Sequence, residues 1–278
     1  MDHREGLTGR AQPALLTVRK FSLELLVVLA AVLVYFGVRG ITAVNVAVAY
    51  EHAADLTAFE KSLGLFVEDS FQDVVAPSQT AIMVMNWVYI WGHWPVIAAV
   101  LVWLFLTRHD GYKEIRAAMI LSGAVGLVIF AAYPVAPPRL ADPEIMDTVS
   151  QHSQAYRVLQ PPALVNQYAA MPSLHVGWDL LMGYALVRYG RRRWQRVAGV
   201  LLPFMMMVAV VATGNHYVVD AVAGVLLVLA GLLLVRYVQA RLPRRSRRSH
   251  GPSRSVPTQR ESPGHEPSSS PVQVYDRR

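Results

Sequence analysis

No cysteine occurs among the 278 residues, so disulfides, thiolate metal sites and a cysteine nucleophile are excluded, and any nucleophile must be another side chain. Charge is scarce too, at 16% of residues against 54% hydrophobic. The apolar residues are gathered into long runs, which is the profile of a polytopic membrane protein. The net charge of +7 comes with no basic groove interleaved with aromatics, and much of the excess sits in the C-terminal tail, so a nucleic-acid partner is not indicated.

Six segments are long and apolar enough to cross a hydrocarbon core of about 30 Å. They lie near 22–38, 80–107, 115–133, 172–189, 195–213 and 216–236. The expected fold class is therefore all-α, a bundle of six transmembrane helices. The first run follows basic residues, as a signal sequence would, and Ala47-Val48-Ala49 has the form of a cleavage site. The run is longer than a usual signal core and the site lies well beyond it, which favours an uncleaved span. The organisation expected is a segment 1–20, a six-span catalytic unit over 21–240 and a basic, Ser- and Pro-rich tail over 241–278 with too few apolar residues to order itself. The basic start of that tail is suited to anionic lipid headgroups.

Arg19, Lys20, Arg108, Lys113, Arg116, Arg188, Arg191 to Arg193, Arg196 and Arg236 fall on the side of the N-terminus, whereas the other side carries Arg39, Lys61, Arg139 and Arg157 among many acids. The positive-inside rule then places both termini in the cytoplasm. The fourth and sixth spans start on the outer face, and those starts carry His175 and His216. Two helix N-termini with unpaired N–H groups would open toward one surface, an arrangement suited to an anion. Pro172 fits the first turn of the fourth span. Residues 41–73 form an outer loop in which Leu56, Phe59, Leu63 and Phe66 recur at helical spacing. That pattern is an amphipathic helix lying on the membrane, capping the site or packing on the bundle.

The chemistry is expected in Met171-Pro172-Ser173-Leu174-His175 and Gly214-Asn215-His216-Tyr217-Val218-Val219-Asp220. Residues four apart share a helix face, so Asp220 would reach the inward ring nitrogen of His216 and leave the other nitrogen for substrate. With the preceding Ala136-Pro137-Pro138-Arg139-Leu140, these residues resemble the type 2 phosphatidic acid phosphatase superfamily, and within it the branch of the inositol phosphorylceramide synthases. The superfamily pattern is Lys-x6-Arg-Pro, Pro-Ser-Gly-His and Ser-Arg-x5-His-x3-Asp, and the match covers about 130–225. Pro172, Ser173, His175, His216, Asp220 and Arg139 match it. Leu174, Leu140, Ala132, Ala209 and Val210 depart from it, the last three where the superfamily has Lys and Ser-Arg.

The resemblance implies an enzyme in which His216 attacks phosphorus, Asp220 fixes its tautomer and His175 protonates the leaving oxygen. Arg139, Ser173, Asn215 and Asp179 are the substrate-binding candidates, and no metal or cofactor is required. The implied substrate is a lipid phosphate or phospholipid, and the acceptor is water or an alcohol such as inositol. Asp179, four residues after His175, would tune it or bond a neighbouring helix. Asn86 and His93 would bridge helices, while His52, His109 and His152 would be solvated. Met205-Met206-Met207 has no other soft ligand near it in sequence. A membrane transporter or flippase, or a non-catalytic member of the fold, is the alternative function, but the ionisable groups gather at one end of the spans and no internal repeat is present.

Overall fold

The structure, a computed structural model, describes residues 22–34, 37, 45–152 and 166–241. The described residues up to Arg241 form one compact unit. The expected N-terminal segment 1–20 and, apart from Arg241, the expected tail lie outside the described residues, as does Arg157. The helices are α1 Ser22–Val34, α2 Val46–Leu63, α3 Glu68–Val75, α4 Gln79–Trp91, α5 Trp94–Thr107, α6 His109–Ala132, α7 Pro138–Ala141, α8 Thr148–His152, α9 Leu174–Tyr189, α10 Arg193–Ala212 and α11 Val218–Arg241. Among the described residues the extended backbone is limited to a single parallel bridge, Val135 to Ala169.

Three helices, α6, α10 and α11, are long and apolar enough to cross a membrane, and α4 with α5 passes the same test only as a pair, bent by 43°. The expected span at 80–107 is therefore broken, at Gly92 and His93. His93 adopts φ −96°, ψ −86°, outside the helical region, and Pro95 follows in the first turn of α5, where its missing N–H costs nothing. The expected fourth span is shorter than its apolar run, since α9 has 16 residues, below the usual ~20 of a spanning helix. Pro172 lies before this helix rather than in its first turn, because Ser173 is the N-cap. α1 is also a short apolar helix.

Helix α9 is the hub of the bundle, packed against α5, α6, α10 and α11. The packing is closest where α9 begins: a Cβ on Gly224 of α11 would run into the Ser173 carbonyl, so only glycine admits the start of α9 to that surface. Leu104, Ile115, Leu181, Met182 and Val228 form the central core.

The outer loop 41–73 folds as two helices, α2 and α3, with Gly64 (φ 68°) ending the first. The buried face of α2 is Ala49, Ala53, Leu56 and Glu60. Of the predicted apolar stripe only Leu56 is buried, while Phe59 and Leu63 are more than half exposed. Small alanines let α2 approach closely over Val135, Ala136, Ala170 and Tyr217. His52 is not solvated, because its Nδ1 donates to the Pro134 carbonyl at 2.7 Å and its ring stacks on Tyr133. His109 is exposed, and the side chain of His152 lies outside the described residues. The residues 134–141 and 166–170 run side by side through Val135 N–H to Tyr168 O (2.8 Å) and Ala170 N–H to Val135 O (3.3 Å), and Ala136 N–H donates to Ala49 O (3.0 Å). This lacing fixes the platform that carries Ala170 and Arg139.

Candidate active site

His216 lies in the turn between α10 and α11, not in a helix. Gly214 takes φ +65°, a conformation open to glycine at little cost. Its carbonyl accepts from Arg139 N–H at 2.9 Å, which brings the first sequence element against the third. The His216 and Asn215 N–H groups both donate to Val210 O, so the turn folds back on the end of α10.

The Nδ1 of His216 is 2.8 Å from the carbonyl oxygen of Ala170 and 3.5 Å from Asp220 Oδ2. A carbonyl only accepts, so Nδ1 carries the proton and Nε2 holds the lone pair. The tautomer is set first by Ala170, with the Asp220 carboxylate behind it. Asp220 and His216 therefore come together as the spacing anticipated, but not as two rungs of one helix face. Asp220 sits in the first turn of α11 and its Oδ2 accepts from Tyr217 N–H at 2.9 Å. Its Oδ1 is buried with no hydrogen bond, a negative end held beside the imidazole.

His175, in the first turn of α9, has its ring centre 5.7 Å from that of His216. Tyr89 stacks on it at 4.6 Å. Ser173 is fully buried, its Oγ has no hydrogen-bond partner, and no side chain caps the start of α9. The Ser173 N–H is held by the Asp220 carbonyl at 2.8 Å, so the two helix starts are tied to each other. Arg139 is steered by Asn215, whose Oδ1 accepts from Nε at 3.0 Å, and lies 3.6 Å from Asp147. Asn215 is anchored in turn through Nδ2 to Thr213 Oγ1 at 2.8 Å.

His216, Asp220, His175, Ser173, Asn215 and Arg139 are thus gathered at one place. Asp179 is not among them. It is fully buried and bonded to His93, Nδ1 to Oδ1 at 2.9 Å, facing the broken span rather than a substrate. Asn86 bridges as expected, holding Thr148 of α8 through its backbone (2.9 Å) and hydroxyl (3.0 Å). Among the described residues no three His, Asp or Glu side chains are arranged to hold a metal ion.

Sequence reasoning passed over the carboxylates at the start of α11. Val218 N–H donates to Glu68 Oε1 at 3.1 Å and Val219 N–H to Glu60 Oε1 at 2.6 Å. With Asp220 on Tyr217, three successive donors of this helix start are taken by the protein's own acids. Both glutamates are fully buried. Burial pushes the Glu60 carboxyl up to about 8; the Val219 bond offsets part of this and the Glu68 charge adds to it. Burial also raises Glu68. A signal was present: Glu60 continues the Ala49, Ala53, Leu56 spacing, so an acid stands on the face of small residues.

Comparison with known proteins gives three findings. The family model for the PAP2 superfamily matches residues 54–234. No curated protein matches the chain. Among solved structures, the crystal structure of Aquifex aeolicus LpxE aligns with a TM-score of 0.45 at 14% identity, over 60% of this chain and 92% of that one.

Proposed function

The chain belongs to the PAP2 superfamily, and on that premise we propose that it is a membrane phosphatase acting on a lipid phosphate through a phosphohistidine at His216. The observation that carries this reading is the His216 geometry: Nδ1–H committed to Ala170 O, a carboxylate behind it and a second imidazole facing it.

Nε2 of His216 attacks phosphorus, the bond to the lipid oxygen breaks, and His175 passes its proton to that oxygen. Ala170 and Asp220 hold the Nδ1–H as the ring gains positive charge. Water, giving its proton to His175, then takes the phosphoryl group and restores His216. Arg139, Ser173 Oγ and the uncapped start of α9 receive the equatorial oxygens. Asn215 acts through Arg139. The phosphate is directed to α9, because the N–H donors at the start of α11 are already taken by Asp220, Glu68 and Glu60.

A second reading, transfer of the phosphoryl group or a phospho-alcohol to an acceptor such as inositol, is favoured by the poverty of cations. Ala209 and Val210 stand buried where the superfamily has Ser-Arg, and Ala132 where it has Lys. The resemblance to the inositolphosphotransferase branch rests on the Ala136-Pro137-Pro138 run and on Gly214-Asn215-His216 with Asp220. In the full reading the chain crosses the membrane six times, with α1, the α4 and α5 pair, α6, α9, α10 and α11 as the crossings. The termini are cytoplasmic and the site faces the extracytoplasmic side.

Phosphate release by the purified protein in detergent, with chelator, on a panel of lipid phosphates and isoprenyl pyrophosphate, with and without inositol, tests both readings. Free phosphate that falls about a thousandfold or more in His216→Ala supports the phosphatase. A phosphoinositol product formed only with inositol and a donor lipid supports the transferase. Full activity in His216→Ala would remove the nucleophile assignment.

A further inference from the structure

The proposed acid, His175, has a neighbour that the scheme above does not use. His93 stands at the break between α4 and α5, its ring centre 4.4 Å from that of His175 and parallel to Trp178 at 6.0 Å. Its Nδ1 is bonded to Asp179 Oδ1 at 2.9 Å. Asp179 and His93 are almost entirely buried, and Asp179 Oδ2 has no hydrogen-bond partner. A bridge between helices would account for the pair, but it would not require the imidazole to lie against the ring of His175 as well.

A bare carboxylate is costly in this interior, and so is an uncompensated imidazolium. Asp179, His93 and His175 together are electrically neutral when they hold one proton beyond the neutral rings. Two such protons would leave the set with a net positive charge in this interior, and none would leave the carboxylate uncompensated. The other titratable groups facing this set are Tyr89 from α4 and His216 from the turn before α11, with Asp220 and Arg139 beyond it.

We propose that Asp179, His93 and His175 hold one proton in common, and that this is the proton handed to the leaving oxygen. Asp179 and His93 are positioning residues: they keep His175 supplied without touching substrate. When the phosphorus–oxygen bond breaks, the proton leaves with the lipid alcohol and the set carries one negative charge. The water that cleaves the phosphohistidine returns a proton to His175. Because one proton serves three groups, the working acid belongs to the set rather than to one ring.

This inference rests on His175 being the acid, so the experiment separates the two. Turnover is measured across pH for a lipid phosphomonoester with an alkyl leaving group, which needs a proton, and for an amphiphilic phosphate with a nitrophenol leaving group, which does not. In Asp179→Asn the amide oxygen still accepts from His93, but the charge is gone. Alkyl turnover should fall about 10- to 100-fold and nitrophenyl turnover by less than about threefold, and the alkaline limb of the alkyl profile should move about one unit lower. Asp179→Glu should restore part of the loss. His175→Ala should show the same selectivity in the single-turnover release of the leaving group, the step before His175 is needed to activate water; if it loses both substrates alike in that step, the acid assignment itself fails. If His175→Ala is selective and Asp179→Asn is not, only the shared proton is overturned. Should Asp179→Asn not fold, His93→Phe, which keeps a ring against Trp178 and cuts the link to Asp179, should reproduce the selectivity. Failure of both variants to fold would mark the pair as structural and overturn the proposal.

Discussion

The starts of α9 and α11 look alike in sequence, each a histidine at the head of an apolar run, and they are opposites in the structure. At α11 three successive N–H groups are taken by Asp220, Glu68 and Glu60. At α9 no side chain caps the helix and the Ser173 hydroxyl is buried without a hydrogen bond. A buried donor or acceptor left unpaired costs about 1–3 kcal/mol, so the difference is informative. One helix start is closed by the protein's own acids and holds the proposed nucleophile still. The other is left open, beside Arg139, at the place where a phosphate would complete it.

The largest test of this contrast makes the open start resemble the closed one. Ser173→Asp puts a carboxylate at an N-cap, a favoured position for it, and fills the seat with negative charge. Phosphate release should fall about 100-fold or more without a lower melting temperature. Retained turnover would show that the α9 start does not receive the phosphate. A smaller effect is expected from Arg139→Ala, which leaves the helix start in place and removes the cation beside it. The KM for a lipid phosphate should rise by about 10- to 100-fold, the equivalent of one charge-assisted hydrogen bond, with kcat changed less. An effect confined to kcat would place Arg139 on the transition state alone.

The sequence could reveal the gathering of His216, Asp220, His175, Ser173 and Arg139 because motif spacing reports which short segments act together. It could not reveal Ala170, whose contribution is a backbone carbonyl and leaves no trace in residue type. The packed face of α2 was misread for a different physical reason. In a water-soluble protein an apolar stripe marks the buried face, but a chain surrounded by lipid gains little by burying Phe59 and Leu63, so hydrophobicity ceases to separate inside from outside. Ala49, Ala53 and Glu60 mark the packed face of α2 instead, small residues followed by an acid that finds N–H donors. Asp179 illustrates the same ambiguity at a longer range. Its spacing pointed to His175, whereas the bend between α4 and α5 brought in His93, and a bend at Gly92 is not written in periodicity.

The closed helix start makes a prediction of its own. Glu60 is pushed up from the ordinary 4.5 to about 8, chiefly by burial. Between those values the folded chain therefore holds a proton that the unfolded chain has already released, and raising the pH across that window weakens the fold. The stability linked to Glu60 is complete below 4.5 and is lost as the pH passes 8. The apparent melting temperature in detergent should accordingly drop by a few degrees over this range. Glu60→Gln keeps an oxygen for Val219 N–H and removes the titration, so its melting temperature should vary less with pH, leaving the part due to Glu68. An unchanged pH dependence in Glu60→Gln would mean that the cap over α11 is not held through a protonated Glu60, and that its carboxylates are neutralised by another route.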